Sequence, residues 1–310
     1  LYLFIGQLDT TRLRLANDRN EAEALQLARE TLLANAISQA SINDAAYLRL
    51  PDLGANMGVP TEGVASTNFA GNGTDRSVLG KFPWRTLNTA PLRDASGECL
   101  WYLVSGRFQV GVKTDALNWD TPGQIDILDG GGNVVASKLA AVVVAVGRAL
   151  DGQSRTLADA AYSECGGNYD ARNYLDSFNG ADALGGQLNY FAGSTNNRVA
   201  LDTNDKSFVM AETDHYNDRF LFLTVENIFE PLIRRSDFAA AIAGLLDDPT
   251  FQSHLQAIAV TGSKGTGNLD CHCNTPLCTA VADDPFQTFC KNWKEMLLLT
   301  QLPTASPIVI

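Results

Sequence analysis

The chain has 310 residues, 45% of them hydrophobic and 19% charged, a balance that excludes a disordered chain and leaves room for one elaborated domain or two. Its net charge of −12 excludes a phosphate-tracking nucleic-acid surface and docking on anionic lipid, because both need clustered Lys and Arg. Six cysteines, Cys99, Cys165, Cys271, Cys273, Cys278 and Cys290, form an even set that suits an oxidising, extracytoplasmic compartment.

Leu1, Tyr2, Leu3, Phe4 and Ile5 are apolar and read as the end of a longer hydrophobic segment, since a membrane span needs about 20 such residues. Residues 8–39 hold neither Pro nor Gly and predict one helix. Within it Ala22, Leu25, Ala28, Leu32 and Ala36 recur at spacings of three and four, so they form one stripe that packs on something, widened by Leu33 and Ile37. Arg12, Arg14, Asp18, Arg19, Glu21, Glu23, Arg29 and Glu30 fall largely elsewhere. With its apolar start the helix would run roughly 55 to 60 Å, and Ser38, Ser41, Asn43, Asp44 and Pro51 mark its end.

Residues 51–78 are rich in Gly, Asn, Ser and Thr and read as a long loop. Strand signals follow at 100–112, and a hairpin is predicted from 124–128 and 134–146 around a Gly-rich turn at 129–133. Val142, Val143, Val144, Ala145 and Val146 have the composition of a central strand buried on both faces. Residues 148–163 suggest a short helix, 166–204 a polar stretch, and 219–223 a strand. Thr224 then caps a helix from Val225 towards Leu246, with Pro231 bending it or shifting its start, and a further helical piece is expected at 248–259. Residues 262–267 break the pattern before the cysteine-rich segment, and 286–299 form a last helix or strand. The expected fold class is α+β: a long N-terminal helix packed on an antiparallel sheet, with large loop and helical insertions and disulfide staples. Three segments follow, the helix at 1–50, loop and sheet at 51–165, and an accessory region at 166–310 continuous with the same globular unit.

Leu79-Gly80-Lys81-Phe82-Pro83-Trp84-Arg85-Thr86-Leu87, with Pro91-Leu92-Arg93-Asp94-Ala95-Ser96-Gly97-Glu98-Cys99-Leu100-Trp101-Tyr102, resembles a motif of large type IV pilin-like proteins. Its second half is similar to the turn that opens the sheet of type II secretion pseudopilins, although Ala95-Ser96 replaces that turn's usual Trp. Residues 24–34 resemble the exposed half of the pilin helix, and 142–148, 152–155, 217–219 and 224–229 are also similar to this group. The resemblance implies a subunit of a type IV pilus or type II secretion-like filament, at the periplasm or cell surface and held in the inner membrane before assembly by an upstream apolar half-helix; the bulk of the loops at 51–78 and 166–204, hard to fit at every position of a dense filament, suggests a minor or tip subunit. Its partners would be other pilin or pseudopilin subunits, with no nucleic acid. The turn has its own physical logic: Asp94 bonds nearby backbone amides, Gly97 accepts positive φ, and Leu100 and Tyr102 alternate into a core strand.

Cys271, His272, Cys273, Cys278 and Cys290 lack the paired C-x2-C spacing of a zinc site, so disulfides are the preferred reading. Cys99 with Cys165 is the first guess, since the other four form a local group. Asp- and Asn-rich loops make Asp202, Asp205, Asp214 and Asp218 weak calcium candidates, without the order of an EF-hand; some pseudopilins carry such an ion. No other cofactor is expected. His215 and His254 are isolated. No G-x-S-x-G, H-E-x-x-H or P-loop signature occurs, and residues 262–267 carry P-loop ingredients in the wrong order, so no catalytic residue and no enzyme is expected. The rival expectations are a carbohydrate- or protein-binding adhesin module and, behind it, a periplasmic hydrolase.

Overall fold

The computed structural model describes residues 2–39, 45–56, 59–67, 76–110, 117, 119, 121–156, 164–178, 181–182, 199–200, 206–210, 216–249 and 252. They form α1 (Tyr2–Ser38), β1 (Ala55–Asn56), β2 (Val59–Pro60), β3 (Val78–Lys81), β4 (Trp101–Val104), β5 (Ile125–Asp129), β6 (Val134–Leu139), β7 (Ala141–Ala145), β8 (Ser177–Phe178), β9 (Ala181–Asp182), β10 (Val199–Ala200), β11 (Lys206–Met210), β12 (Arg219–Leu223), α2 (Val225–Ile233) and α3 (Ser236–Leu246). The fold is α+β, an N-terminal helix with largely antiparallel sheets. Two compact units divide the chain: Leu1–Asn35, Leu48–Val112 and Pro122–Thr224 in one, Ala36–Tyr47, Lys113–Thr121 and Val225–Ile310 in the other.

In the first unit a five-stranded sheet runs β10-β3-β4-β7-β12, with every pair antiparallel. The valine run at β7 lies between β4 and β12 and is wholly buried, the pattern of a strand covered on both faces. Register puts Leu79, Leu103, Val142 and Phe222 in one row and Trp101, Val144 and Phe220 in the next on the same face. These side chains share a core with Ile125, Ile127, Leu139 and Phe208 of a second sheet, ordered β11-β5-β6. There β5 pairs antiparallel with β6 but parallel with β11, so this sheet is mixed. The opposite face carries Tyr102 and Val143, both fully buried; the Tyr102 hydroxyl donates to the Arg49 carbonyl at 3.0 Å.

Several elements differ from the sequence reading. Of the strand expected at 100–112, the described residues 100–110 hold only β4, because Gly106–Phe108 close a 3-10 turn directly behind it; residues 111–112 lie outside the described residues. Residues 134–146 are two strands in different sheets: Lys138 adopts a left-handed φ of 56°, and the Ala140 N–H goes to Leu223 O at 2.9 Å, which turns the chain from one sheet to the other. The loop at 51–78 contains the small β1–β2 hairpin and the start of β3. Residues 148–156 are not helical: Gln153 Oε1 accepts from Leu150 N at 2.9 Å, and Gly152 takes a φ of 90°.

In the second unit the helix expected from Val225 to Leu246 is two helices. After Pro231 the bonds tighten to Arg234 N to Pro231 O (3.2 Å) and Arg235 N to Leu232 O (3.1 Å), a three-residue spacing that ends α2 before α3 starts at Ser236. Val225, Ile228, Phe229 and Leu232 form the buried stripe of α2, and Trp119 packs against Phe229 at 6.1 Å between ring centroids.

Candidate functional site

The first feature is the way α1 divides along its length. It has 37 residues, about 55 Å of helix. Residues 11–20 are exposed on every side, with Leu13 and Leu15 at 63% and 64% relative exposure. From Glu21 onward one stripe is buried: Glu21, Leu25, Ala28, Leu32 and Ala36. The predicted stripe is thus corrected at its first member. Ala22 is exposed and Glu21 takes the buried position, because its carboxylate has partners there: Arg219 Nη1 at 3.4 Å and the Ala95 N–H at 3.3 Å. Arg219 also bonds Asp18 at 2.8 Å, and Arg29 Nε donates to Phe222 O at 3.0 Å. With residue 29 opposite 222 and 18–21 opposite 219, α1 and β12 run side by side in the same direction.

The second feature is the turn that opens β4. Asp94 N donates to Glu98 O at 2.9 Å and Gly97 N to Asp94 O at 3.1 Å, with Gly97 at a φ of 85° that favours glycine. Asp94 Oδ1 accepts from Ser96 N (2.8 Å) and Glu98 N (3.0 Å), the Asx arrangement of such turns. Its Oδ2 accepts from Gly147 N at 2.8 Å, tying the turn to the loop after β7. Burial pushes the Asp94 carboxyl up to about 6 against these three donors, and Glu21 adds to the rise.

Register gathers a buried charged network at the same end of the sheet, where β3 and β7 finish and β4 and β12 start. The Arg155 side chain is 7% exposed. Its Nη1 donates to Gly147 O at 2.7 Å, Nε to Asn173 O at 2.8 Å and Nη2 to Gln153 Oε1 at 3.0 Å, and the guanidinium lies 3.5 Å from Glu98 and over the Tyr174 ring. Asp176 accepts from Asn217 N (2.7 Å) and Gln153 Nε2 (3.0 Å), while its own N–H donates to Asp218 Oδ2 (2.9 Å). Burial, then the Asp176 charge, drives the Asp218 carboxyl well above the usual range. Beside them Asp52 and Lys81 are buried at 1% and 2% exposure. Asp52 Oδ1 accepts from Gly54 N (2.8 Å), and its Oδ2 from Gly63 N (2.7 Å) and the Tyr169 hydroxyl (2.6 Å). Lys81 Nζ donates to Gly166 O (2.8 Å) and lies over the rings of Tyr169 and Tyr174. Burial lifts Asp52 to about 6 and depresses Lys81 to about 8. Sequence reasoning singled out Asp94 and Asp218 here but passed over Asp52, Lys81, Arg155 and Asp176. The available signal was a single cation set between Leu79 and Phe82 in an otherwise apolar run.

Cys99 and Cys165 form a disulfide across 66 residues of sequence. Cys271, Cys273, Cys278 and Cys290 lie outside the described residues, as do Asp202, Asp205, Asp214, His215, His254, residues 262–267 and 286–299, and nearly all of 248–259. Asp218, the described calcium candidate, is buried within the carboxylate pair. Among the described residues no group of three or more His, Cys, Asp or Glu is arranged to hold a metal, and no described helix is long and apolar enough to cross a membrane. Comparison with known proteins finds no matching family model, no similar curated protein and no similar solved structure.

Proposed function

We propose that this chain is a structural subunit of an extracytoplasmic filament of the type IV pilus or type II secretion kind, in which α1 is the assembly element. The observation that carries this reading is the division of α1: residues 21–36 bury one stripe, whereas residues 11–20 leave every side, Leu13 and Leu15 included, open to other molecules. A helix that needs only its own domain stops where that domain stops. The partners are further subunits of the same filament, which would cover the exposed half. The Cys99–Cys165 disulfide fits an oxidising location, and the filament reading rests also on the sequence resemblance of residues 79–102.

The test places a photo-crosslinking residue at Leu15 or, as a control, at exposed Val134, in the full-length protein in its own cell. Adducts with filament subunits from position 15 and none from position 134 are expected, and deleting the gene abolishes filaments or secretion. Intact filaments and secretion after deletion, with loss of surface attachment alone, would favour an adhesin and refute the assembly role.

A further inference from the structure

We propose that Lys81 and Asp52 are a covalent cross-linking site, at which the lysine Nζ condenses with the aspartate Cγ to give an intramolecular amide and one water. This site stands independently of the filament reading.

The geometry begins with the backbone. Asp52 N donates to Lys81 O and Lys81 N to Asp52 O, both at 2.9 Å, so the two residues are a hydrogen-bonded antiparallel pair. In such a pair the Cα atoms stand about 5.5 Å apart and both side chains leave the same face. The four-carbon lysine stem spans that separation with length to fold back on the carboxyl. Both side chains are sealed from water, under Tyr169 and Tyr174. Lys81 Nζ holds Gly166 O and, among the described residues, forms no ion pair, so its approach to Asp52 breaks one neutral acceptor contact and no salt bridge.

The surroundings also suit the reaction electrically. Condensation needs the neutral amine and the neutral acid together. At ordinary values of 10.5 and 3.8 that pair is vanishingly rare beside the ionised one; with Lys81 at about 8 and Asp52 at about 6 the gap closes from 6.7 units to roughly 2. Both shifts favour the neutral pair over the same two side chains in water. Glu98 and Glu62 pull Lys81 back towards its charged form and Arg155 pushes it away, and these effects are already within that balance. In the step itself the Nζ lone pair adds to Cγ, and the Gly54 and Gly63 N–H groups, already on the two carboxyl oxygens, stabilise the tetrahedral adduct. The Nζ–Cγ bond forms and the Cγ–Oδ2 bond breaks. Oδ2 leaves as water with the carboxyl proton and one amine proton, which the Tyr169 hydroxyl, 2.6 Å from Oδ2, is placed to pass. No oxidant, reductant or other reactant is required.

Intact mass measurement of the full chain under denaturing conditions decides the matter. The expected mass is lower by one water than the sequence gives after allowance for disulfide hydrogens, and tryptic digestion yields a branched species joining residues 50–76 to residues 77–85, uncut at Lys81. Lys81→Arg and Asp52→Ala restore the full mass and the linear peptides, whereas Asp52→Asn, an amide electrophile, loses ammonia in place of water. A wild-type chain at full mass overturns the proposal without reference to any variant, so poor folding of a substituted chain leaves the test intact. A water loss carried by a linear peptide at Asp129–Gly130 or Asp151–Gly152, where aspartate cyclises on its own backbone, overturns it equally.

Discussion

Replacing Asp94 by Asn tests how the turn at the head of β4 is held, because it removes a titrating group and keeps its size. Folding raises the Asp94 carboxyl from 3.8 to about 6, a differential of about 3 kcal/mol between its two protonation states. The folded state therefore binds the proton more tightly than the unfolded chain between these values. That stabilisation is fully present below about pH 4, is lost as pH rises through about 6, and is absent above. The variant lacks this slope. It also turns an amide NH2 towards the Gly147 N–H, where Oδ2 accepted a bond at 2.8 Å, and setting donor against donor costs about 1–3 kcal/mol. Urea denaturation of both proteins from pH 4 to pH 7 gives the difference in stability at each pH. Wild type should exceed Asp94→Asn most at pH 4, with the margin shrinking by up to about 3 kcal/mol by pH 6.5. A margin that is constant across the range would refute the raised carboxyl and the burial argument behind it.

Leu32→Ala, at a position 1% exposed in the docked half of α1, should cost about 2–5 kcal/mol in denaturant unfolding, whereas Leu15→Ala should change monomer stability by less than about 0.5 kcal/mol and, under the proposed filament role, impair assembly. Equal effects of the two on monomer unfolding would contradict the division of the helix. The double variant Cys99→Ala/Cys165→Ala opens a link across 66 residues and should lose about 4 kcal/mol by the chain-entropy relation; an unchanged melting temperature would show that the bridge restrains nothing. Gly147→Ala should destabilise the end of the sheet by about 1–3 kcal/mol, since Gly147 has a φ of 59° and a Cβ would stand 2.0 Å from Asn217 Oδ1. Thermal unfolding within a few tenths of a degree of wild type would refute that contact.

The long helix, the buried valine strand and the Asp94 turn were legible in the sequence because each depends on neighbours close in the chain: helical spacing, a β-branched run, and an Asx bond from residue 94 to 96. What was not legible depends on distant partners. Glu21 reads as a solvent charge until Arg219 and Ala95 are beside it, so the spacing alone puts Ala22 in place of Glu21 as the first member of the stripe, while Leu25, Ala28, Leu32 and Ala36 are buried as their spacing predicts. Residues 134–146 look like one strand because no local pattern announces that Leu223 takes the Ala140 N–H. The disulfide guess at Cys99 and Cys165 rested on elimination and holds. Asp52 was passed over inside a polar loop, since its role comes from Lys81 across the bridge and Tyr169, both remote in sequence.

The concentration of charge at one end of the sheet has a physical reason. Apolar burial is non-directional, whereas paired charges and hydrogen bonds fix position and direction as well. Buried carboxylates and guanidinium groups tolerate no slip of the helix, because each unsatisfied one carries a desolvation penalty. Glu21 bonds Ala95 in the turn, Asp94 in the same turn bonds Gly147, and Arg155 bonds Gly147 from the other side. This chain of contacts sets where along the sheet α1 lies, and so how far residues 11–20 extend beyond it. A slip of one turn would move the exposed segment by about 5.4 Å along the helix axis. The buried network thus sets the register of α1 and with it the reach of the exposed residues 11–20.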